Sequence, residues 1–335
     1  MQFTHILGID VSKTTIDLAL SQNKANASMV NTKFGNNLKG YKALLTWIKE
    51  QKVAIGQVLV CLENTGLYHR ALVAFLQDKQ AFVWLENAVV IKWSMGLTRG
   101  KSDLIDCQRI CLYAFRHQDK AQAHTRMNKS LQGLADLLAT RERLIQAKNS
   151  LLLPIKEMQA AGFSQEARRI KNICKASLTS LEQAIKAVEK ELEYIIDKEE
   201  KLKNNYRIIC SVKGVGVVTA LYLLVYTSNF ERFTNAKKLA CYSGIAPFTY
   251  SSGSSIRGRT QVHPMANKTL KTALHMCALS SIRNKNKDEM SLYYERKIKE
   301  GKHKMSILNA IRNKLLHRIY ACVREQRMYV CKQAA

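Results

Sequence analysis

Four acidic residues in the first third of the chain stand where carboxylates can act together. Asp10 ends the apolar stretch THILGIDVS, and Glu63 ends VLVCLE and opens Glu-Asn-Thr-Gly. Asp103 and Asp106 lie three apart at the start of a helical stretch, so both project from one face. Carboxylates at strand ends beside such a pair can converge at one edge of a sheet. Hard Mg²⁺ ions take oxygen ligands, and two of them clamp the attacking and leaving oxygens of a phosphodiester. Four like charges in one pocket repel unless cations sit between them. Taken singly, an Asp is more often a turn or N-cap residue, and Asp103 is well placed to be one. A second constellation is TYSSGSSIRGRT, Thr249 to Thr260, with four serines, two glycines and two arginines. It reads either as a Gly/Ser loop that binds phosphate or as the carrier of a nucleophilic serine. A third is Lys213-Gly214-Val215-Gly216 between two apolar runs, which reads as a tight turn or as a hairpin whose backbone N–H groups meet a DNA phosphate.

The charge of the whole chain favours a polyanionic partner. Among 335 residues there are 53 Lys and Arg against 26 Asp and Glu, a net charge of +27. Residues 201–335 hold 25 basic and 6 acidic side chains, so most of that attraction lies in the last two-fifths. With 47% hydrophobic residues the chain is globular rather than disordered. No apolar run is long enough to span a membrane, and the N-terminus lacks the pattern of a signal peptide. Nine scattered cysteines with no Cys-x-x-Cys pair fit reduced thiols in a cytosol. Cys107 and Cys111 are one helical turn apart but lack a third ligand nearby.

The elements that must position these residues fall into three segments. Residues 1–121 read as α/β: strands at THILGIDVS, TIDLALS, SMVNTKF, VLVCLE and AFVWLE, helices over Tyr41–Gln51 and Tyr68–Lys79 and from Asp103. Strands that meander first and then alternate with helices imply a mixed sheet with helices covering it. Residues 122–205 read as helical, with Leu131, Leu138, Ile145 and Leu152 at sevens and Leu178, Leu181, Ile185, Val188, Leu192 and Ile195 stepping as a coiled-coil seam. Pro154 and Gly162 mark a break between two helices, which form an intramolecular antiparallel hairpin, a dimerisation arm, or both. Residues 206–335 read as mostly helical, with the glycine hairpin, the serine stretch and two amphipathic helices with basic faces.

GIDVSKTTIDLAL also looks like the first phosphate motif of actin-like and sugar-kinase ATPases. The later Asp-x-Gly and Gly-Gly motifs those proteins need are absent, which leaves a nuclease-like RNase H fold. The order and spacing of GIDVSK, ENTG, KSDLID, VKGVG and YSSGSSIRG resemble the insertion-sequence 110 family of transposases, nearly end to end. The resemblance implies a RuvC-like N-terminal domain, a coiled-coil middle, a separate transposase domain, and DNA recombination guided by a structured bridge RNA. It places the Mg²⁺-binding Asp-Glu-Asp-Asp set on Asp10, Glu63, Asp103 and Asp106. It places the nucleophile on Ser252, with Ser251 a spare hydroxyl beside it. Lys213 stands where a proline commonly precedes Gly-x-Gly, and Cys107 where a small alanine is usual. The family also implies a tetramer in which one protomer's carboxylates meet another's serine.

No histidine adjoins Ser252, so metal held by the acids would have to assist its attack. Gly253 would let backbone approach DNA, and Arg257 and Arg259 would pair with phosphate oxygens. Lys213, Gly214 and Gly216 would meet backbone phosphates. Basic stretches with aromatics, NNLKGYKALLTWIK and VVIKWSMGLTRGK, allow RNA contact and stacking, although such aromatics are more often core. Two other classes fit parts of the pattern. A metal-dependent, Holliday-junction-resolvase-like endonuclease would need the acids but not the serine. A nucleic-acid-binding scaffold would need neither and would bind with a steep salt dependence.

Overall fold

The computed structural model describes residues 3–96, 102–248, 251–252, 256–257, 262–263, 265–283 and 289–330, with 251–252 and 256–257 described by their backbone. The chain divides into two compact units, Met1–Arg126 and Met127–Ala335. Among the described residues it is a mixed α/β protein with a five-stranded sheet and thirteen α-helices.

Alternating and apolar runs build the N-terminal unit. Strands β1 (His5–Val11), β2 (Thr15–Gln22) and β3 (Met29–Gly35) form an antiparallel meander. Helix α1 (Leu38–Glu50) follows, then β4 (Val58–Glu63), α2 (Arg70–Asp78), β5 (Phe82–Glu86), α3 (Ala88–Ser94) and α4 (Asp103–Arg116). The sheet order is β3-β2-β1-β4-β5, with β4 and β5 parallel to β1, so the expected mixed sheet is present. The period of two divides the strands between two cores. Leu7, Ile9, Ile16, Leu18, Val60 and Leu62 pack with Tyr41, Leu44 and Ile48 of α1 and Leu72 and Leu76 of α2. Ile6, Ala19, Leu59, Cys61 and Trp84 pack on the other face with Ile91 of α3 and Cys107, Ile110, Cys111 and Ala114 of α4. Tyr41 and Trp47 belong to the first core, whereas Trp93 of α3 is 60% exposed. Residues 97–101, the end of the second basic-aromatic stretch, lie outside the described residues.

Gly8 sets how closely α4 lies on β1. A Cβ there would stand 2.3 Å from the backbone nitrogen of Cys111 and 2.4 Å from the carbonyl oxygen of Cys107. Only a residue without a side chain lets the two backbones approach in this way. The cap of α4 differs from expectation. Ser102, not Asp103, is the N-cap, its hydroxyl accepting the Ile105 N–H at 3.3 Å. Asp103 and Asp106 fall in the first turn, where the helix dipole favours negative charge.

The second unit opens with α5 (Lys129–Ala160), α6 (Ser164–Ile173) and α7 (Lys175–Asp197). Pro154 does not break the first of these, contrary to the sequence expectation. The helix runs through it, with the next residue, Ile155, buried at 3% exposed, and α6 packs on α5. The chain reverses instead at Gly162, whose φ is +93°. Helices α5 and α7 run antiparallel, as the pairs Arg141–Glu189 (2.8 Å) and Lys148–Glu182 (2.7 Å) show by their order along the two. Leu131, Leu134 and Leu138 of α5, with Leu192 and Ile196 of α7, share one apolar core with the helices that follow. These are α8 (Glu200–Ser211), α9 (Val217–Tyr226), α10 (Ala236–Tyr242), α11 (Lys268–Ile282), α12 (Glu289–Lys299) and α13 (Lys304–Arg324). Between α10 and α11 lie two short paired strands, β6 (Ser251–Ser252) and β7 (Ile256–Arg257). No helix of the described residues is long and apolar enough to cross a membrane.

Replacing Gly8 by alanine should push α4 off β1. The expected cost is about 1–3 kcal/mol, typical of forcing atoms into a filled core. A lowered thermal midpoint by circular dichroism checks this, and an unchanged one would show that α4 does not depend on the close approach.

Candidate active site

Strand register assembles a row of ionisable residues across the N-terminal sheet. Asp10 on β1 pairs with Asp17 on β2, and Asp17 pairs with Lys33 on β3. On the other side Ile9 registers with Leu62, which brings Glu63 on β4 level with Asp10, and Glu63 pairs with Glu86 on β5. One residue per strand thus forms the sequence Lys33, Asp17, Asp10, Glu63, Glu86. All lie on the face that α4 covers, since they share the parity of Ile6, Ala19, Cys61 and Trp84. Helix α4 adds Asp103 and Asp106 from its first turn.

The crowding of these groups has an electrostatic consequence. The Asp10 carboxyl is raised above the usual range by burial first, then by the charges of Asp106, Asp103 and Asp17. Two cations partly offset the crowding. The Lys33 ammonium lies 3.2 Å from Asp17 and 3.6 Å from Asp103, and the Arg109 guanidinium donates to Asp106 at 3.0 Å. Asp17 is 7% exposed, which makes it the most enclosed acid of the row. The residues after Glu63 are tied down as well: the Asn64 N–H donates to the Glu86 carbonyl at 2.8 Å, and the Thr65 N–H to His69 Nδ1 at 3.2 Å. His69 is buried and its pKa is lowered to about 4, mainly by desolvation, so the ring is neutral and free to accept. At the far end the Tyr113 hydroxyl donates to Glu86 at 3.1 Å.

A hard divalent cation suits this donor set, which is made of carboxylate oxygens whose mutual repulsion a cation would relieve. The acids nevertheless stand side by side along a row rather than as a closed cage. Among the described residues no three Asp, Glu, His or Cys side chains enclose a common point at metal-binding distance. Cys107 and Cys111 are not candidates. Burial raises both thiols to about 12, with Asp17 and Asp10 adding to the effect at Cys107, and both donate to backbone carbonyls, of Leu104 and Ile6.

In the C-terminal unit the glycine motif forms a hairpin between α8 and α9. Gly214 has φ +87°, and a Cβ there would meet Ser281 Oγ at 2.1 Å. Gly216 is the N-cap of α9. The Ser281 hydroxyl reaches the Lys213 carbonyl at 3.4 Å, which ties the hairpin to α11. A recess of about 420 Å³ beside it is lined by Lys213, Gly214, Ser280 and Arg283 among others. The described residues on either side of the serine stretch are tied together. The Asn267 N–H donates to the Tyr242 carbonyl at 2.7 Å, and the Asn267 side chain to the Tyr242 hydroxyl at 3.1 Å. Within that stretch Ser251 pairs with Arg257 and Ser252 with Ile256 through their backbones. Gly253 and Arg259 lie outside the described residues, as do the side chains of Ser251, Ser252 and Arg257.

Asp17, Lys33, Glu86 and His69 escaped the sequence reading. The signal for Asp17 was an acid inside the alternating TIDLALS, at an inward position that a solvent-facing aspartate would not occupy.

Residues 7–158 match a DEDD model of the IS110 group described as "Transposase", and residues 206–295 match the "Transposase IS116/IS110/IS902 family". The chain is 25% identical to the pilin gene-inverting protein of Moraxella bovis, over 96% of this chain and 97% of that protein. It is 25% identical to the transposase for insertion sequence element IS1111A of Coxiella burnetii, over 69% of each. It is 31% identical to a 43.6 kDa protein of insertion element IS110 of Streptomyces coelicolor, over 48% of this chain and 38% of that one. Among solved structures, Thermus thermophilus RuvC aligns with 35% of this chain and 97% of its own at a TM-score of 0.24 and 13% identity. The two family models between them span both compact units, and the chain belongs to the insertion-sequence 110 family of transposases, enzymes that act on DNA.

Proposed function

We propose that this transposase cuts and rejoins DNA of a mobile element through a covalent phosphoserine link at Ser252, with Mg²⁺ held by Asp10, Glu63, Asp103 and Asp106 of a RuvC-like domain. The observation that carries this reading is the row of carboxylates on the α4 face, where burial first and then the neighbouring acids raise Asp10. Divalent cations held by these acids would supply positive charge that offsets the repulsion and would polarise the scissile phosphate. Lys33 and Arg109 hold Asp103 and Asp106 until then, and Asp17 anchors Lys33. In the cutting step the Ser252 oxygen bonds to phosphorus, the bond from phosphorus to the 3′ oxygen breaks, and the serine proton ends on that oxygen. The free 3′ hydroxyl of another strand then attacks the phosphoserine and returns the proton to Ser252, so no outside energy is needed. Gly253, Arg257 and Arg259 place the phosphate, and Lys213, Gly214 and Gly216 grip the backbone beside the cut.

Guidance by a bridge RNA, action in the bacterial cytosol, and a homo-oligomer up to a tetramer that uses α5 to α7 as a coiled-coil arm belong to the same proposal. So does the division into a RuvC-like domain (1–121), an arm (122–205) and a transposase domain (206–335). The full-length likeness to a protein named for inverting a gene supports recombination rather than degradation.

Ser252→Ala should abolish protein–DNA adducts that survive denaturation while RNA co-purification persists. Unimpaired recombination would remove the serine from the mechanism and leave a water-using endonuclease. Because the Asp10 carboxyl is raised in the fold, its stabilising contribution is complete below about pH 4 and is lost as pH rises through the raised value. Asp10→Asn should therefore raise the thermal midpoint of the metal-free protein at pH 7, and the difference should vanish near pH 4. Lys33→Met should enlarge the rise in melting temperature that Mn²⁺ produces, since it removes the resident cation. An equal or smaller rise would show that Lys33 does not compete for the site.

A further inference from the structure

The C-terminal unit buries a positive charge for which the described residues supply no counter-ion. Arg312 on α13 is 4% exposed, and its Nε is buried without a hydrogen-bond partner. No ion pair or hydrogen bond to its guanidinium is found among the described residues. Burying a charge without a counter-ion is costly, and an arginine does not lose its proton to escape the cost. Other buried polar atoms of α11 and α13 are also unsatisfied. His275 on α11 has a buried, unpartnered Nδ1, and its pKa is lowered by burial first and by the charge of Arg312 second. Asn313, the next residue of α13, buries an unpartnered Oδ1.

Their place in the fold is specific. One turn before Arg312, the Asn309 side chain donates to the Ile245 carbonyl at 2.9 Å. Ile245 begins the stem of the serine-bearing loop, three residues after the Tyr242 that closes its base with Asn267. Ser243, the fully buried C-cap of α10 two residues before Ile245, has an unpartnered hydroxyl. Helix α13 also packs on α10 and α11, the helices that the loop connects. A cation held unpaired beside the root of that loop calls for an anion that arrives with the substrate.

We propose that Arg312, with His275, is a seat for a DNA backbone phosphate at the base of the serine-bearing loop. A guanidinium offers parallel N–H donors that match two phosphate oxygens, and the neutral imidazole adds a further donor. Arg312 is covered in the free protein, so neighbouring side chains must give way when the seat fills, and affinity carries that conformational cost. This inference rests on the reading of the C-terminal unit as a handler of DNA phosphates. It asks nothing of Ser252 itself.

The experiment uses the full chain with Arg312→Met, which removes the charge, and Arg312→Lys, which keeps it. Two quantities are measured: the melting temperature in sodium phosphate against sodium chloride at matched ionic strength, and the equilibrium affinity for a short DNA duplex. Arg312→Met should melt at or above the wild-type temperature, since a buried unpaired charge has gone. It should also bind duplex about tenfold or more weakly, the scale of a charge-assisted hydrogen bond. Arg312→Lys should recover part of that affinity. Melting several degrees below wild type would make Arg312 a structural residue and overturn the proposal, as would unchanged duplex affinity. A response to inorganic phosphate that Arg312→Met abolishes, with duplex affinity intact, would make the seat one for free anions and would equally overturn it. Weakened duplex binding by Arg312→Met together with adduct formation by Ser252→Ala would retire the serine and leave the seat standing.

Discussion

The contact between α4 and β1 governs the N-terminal unit, because it decides where two of the acids go. At Gly8 the two backbones meet with no side chain between them. That approach seats Cys107 and Cys111 in the core under the sheet and carries the first turn of α4 to the C-terminal end of β1. Asp103 and Asp106 consequently join a row of side chains that the strand registers have already aligned. A side chain at position 8 would displace the helix and separate the groups, even with every acid still in place.

Alignment of like charges is unfavourable, and the fold offsets it with apolar packing on both faces of the sheet. Two cations, Lys33 and Arg109, reduce the repulsion, and Asp10 is still raised, by burial first and then by Asp106 and Asp103. The C-terminal unit presents the opposite imbalance, a covered guanidinium with no anion among the described residues. Each unit therefore keeps a charge unresolved in the free protein: acids that a cation would settle, and a base that a phosphate would settle. Sites that bind tightly to charge are often left so, since a group already neutralised within the fold has less to gain from its ligand.

Much of the sheet was legible in the sequence. The five strands follow from apolar runs and alternation, and their mixed order from strands that meander before helices intervene. The ends of THILGIDVS and VLVCLE put Asp10 and Glu63 at strand termini, and the spacing of Asp103 and Asp106 put them on one helix face. Helix α3, seven residues long, was missed because so short an element carries little periodic signal. Pro154 misled because a proline removes one backbone bond and clashes with the preceding turn, yet here the helix continues through it with Ile155 buried beside it. Asp17, Lys33 and Glu86 were invisible for another reason. Their neighbours are residues on adjacent strands, and register between strands 7 to 23 residues apart is a tertiary fact.

Arg312 shows how the same limit works in the opposite direction. In MSILNAIRNKLLHRIYACV the arginines and lysines read as the basic face of an amphipathic helix, and Lys314 is indeed exposed. Arg312, however, follows Ile311 and precedes Leu315 and Leu316, all nearly without exposure, so it lies within the buried arc of α13. Packing by α10 and α11 widens that arc beyond the stripe a surface helix would show, and a charge at its margin is enclosed. Composition counts this arginine with the other basic residues that draw the protein toward nucleic acid. Its burial separates it from them. A surface lysine or arginine attracts DNA at long range and is screened by salt, while a desolvated guanidinium acts at contact and is screened little. The two kinds of positive charge do different work, bringing DNA to the protein in one case and fixing a single phosphate in the other.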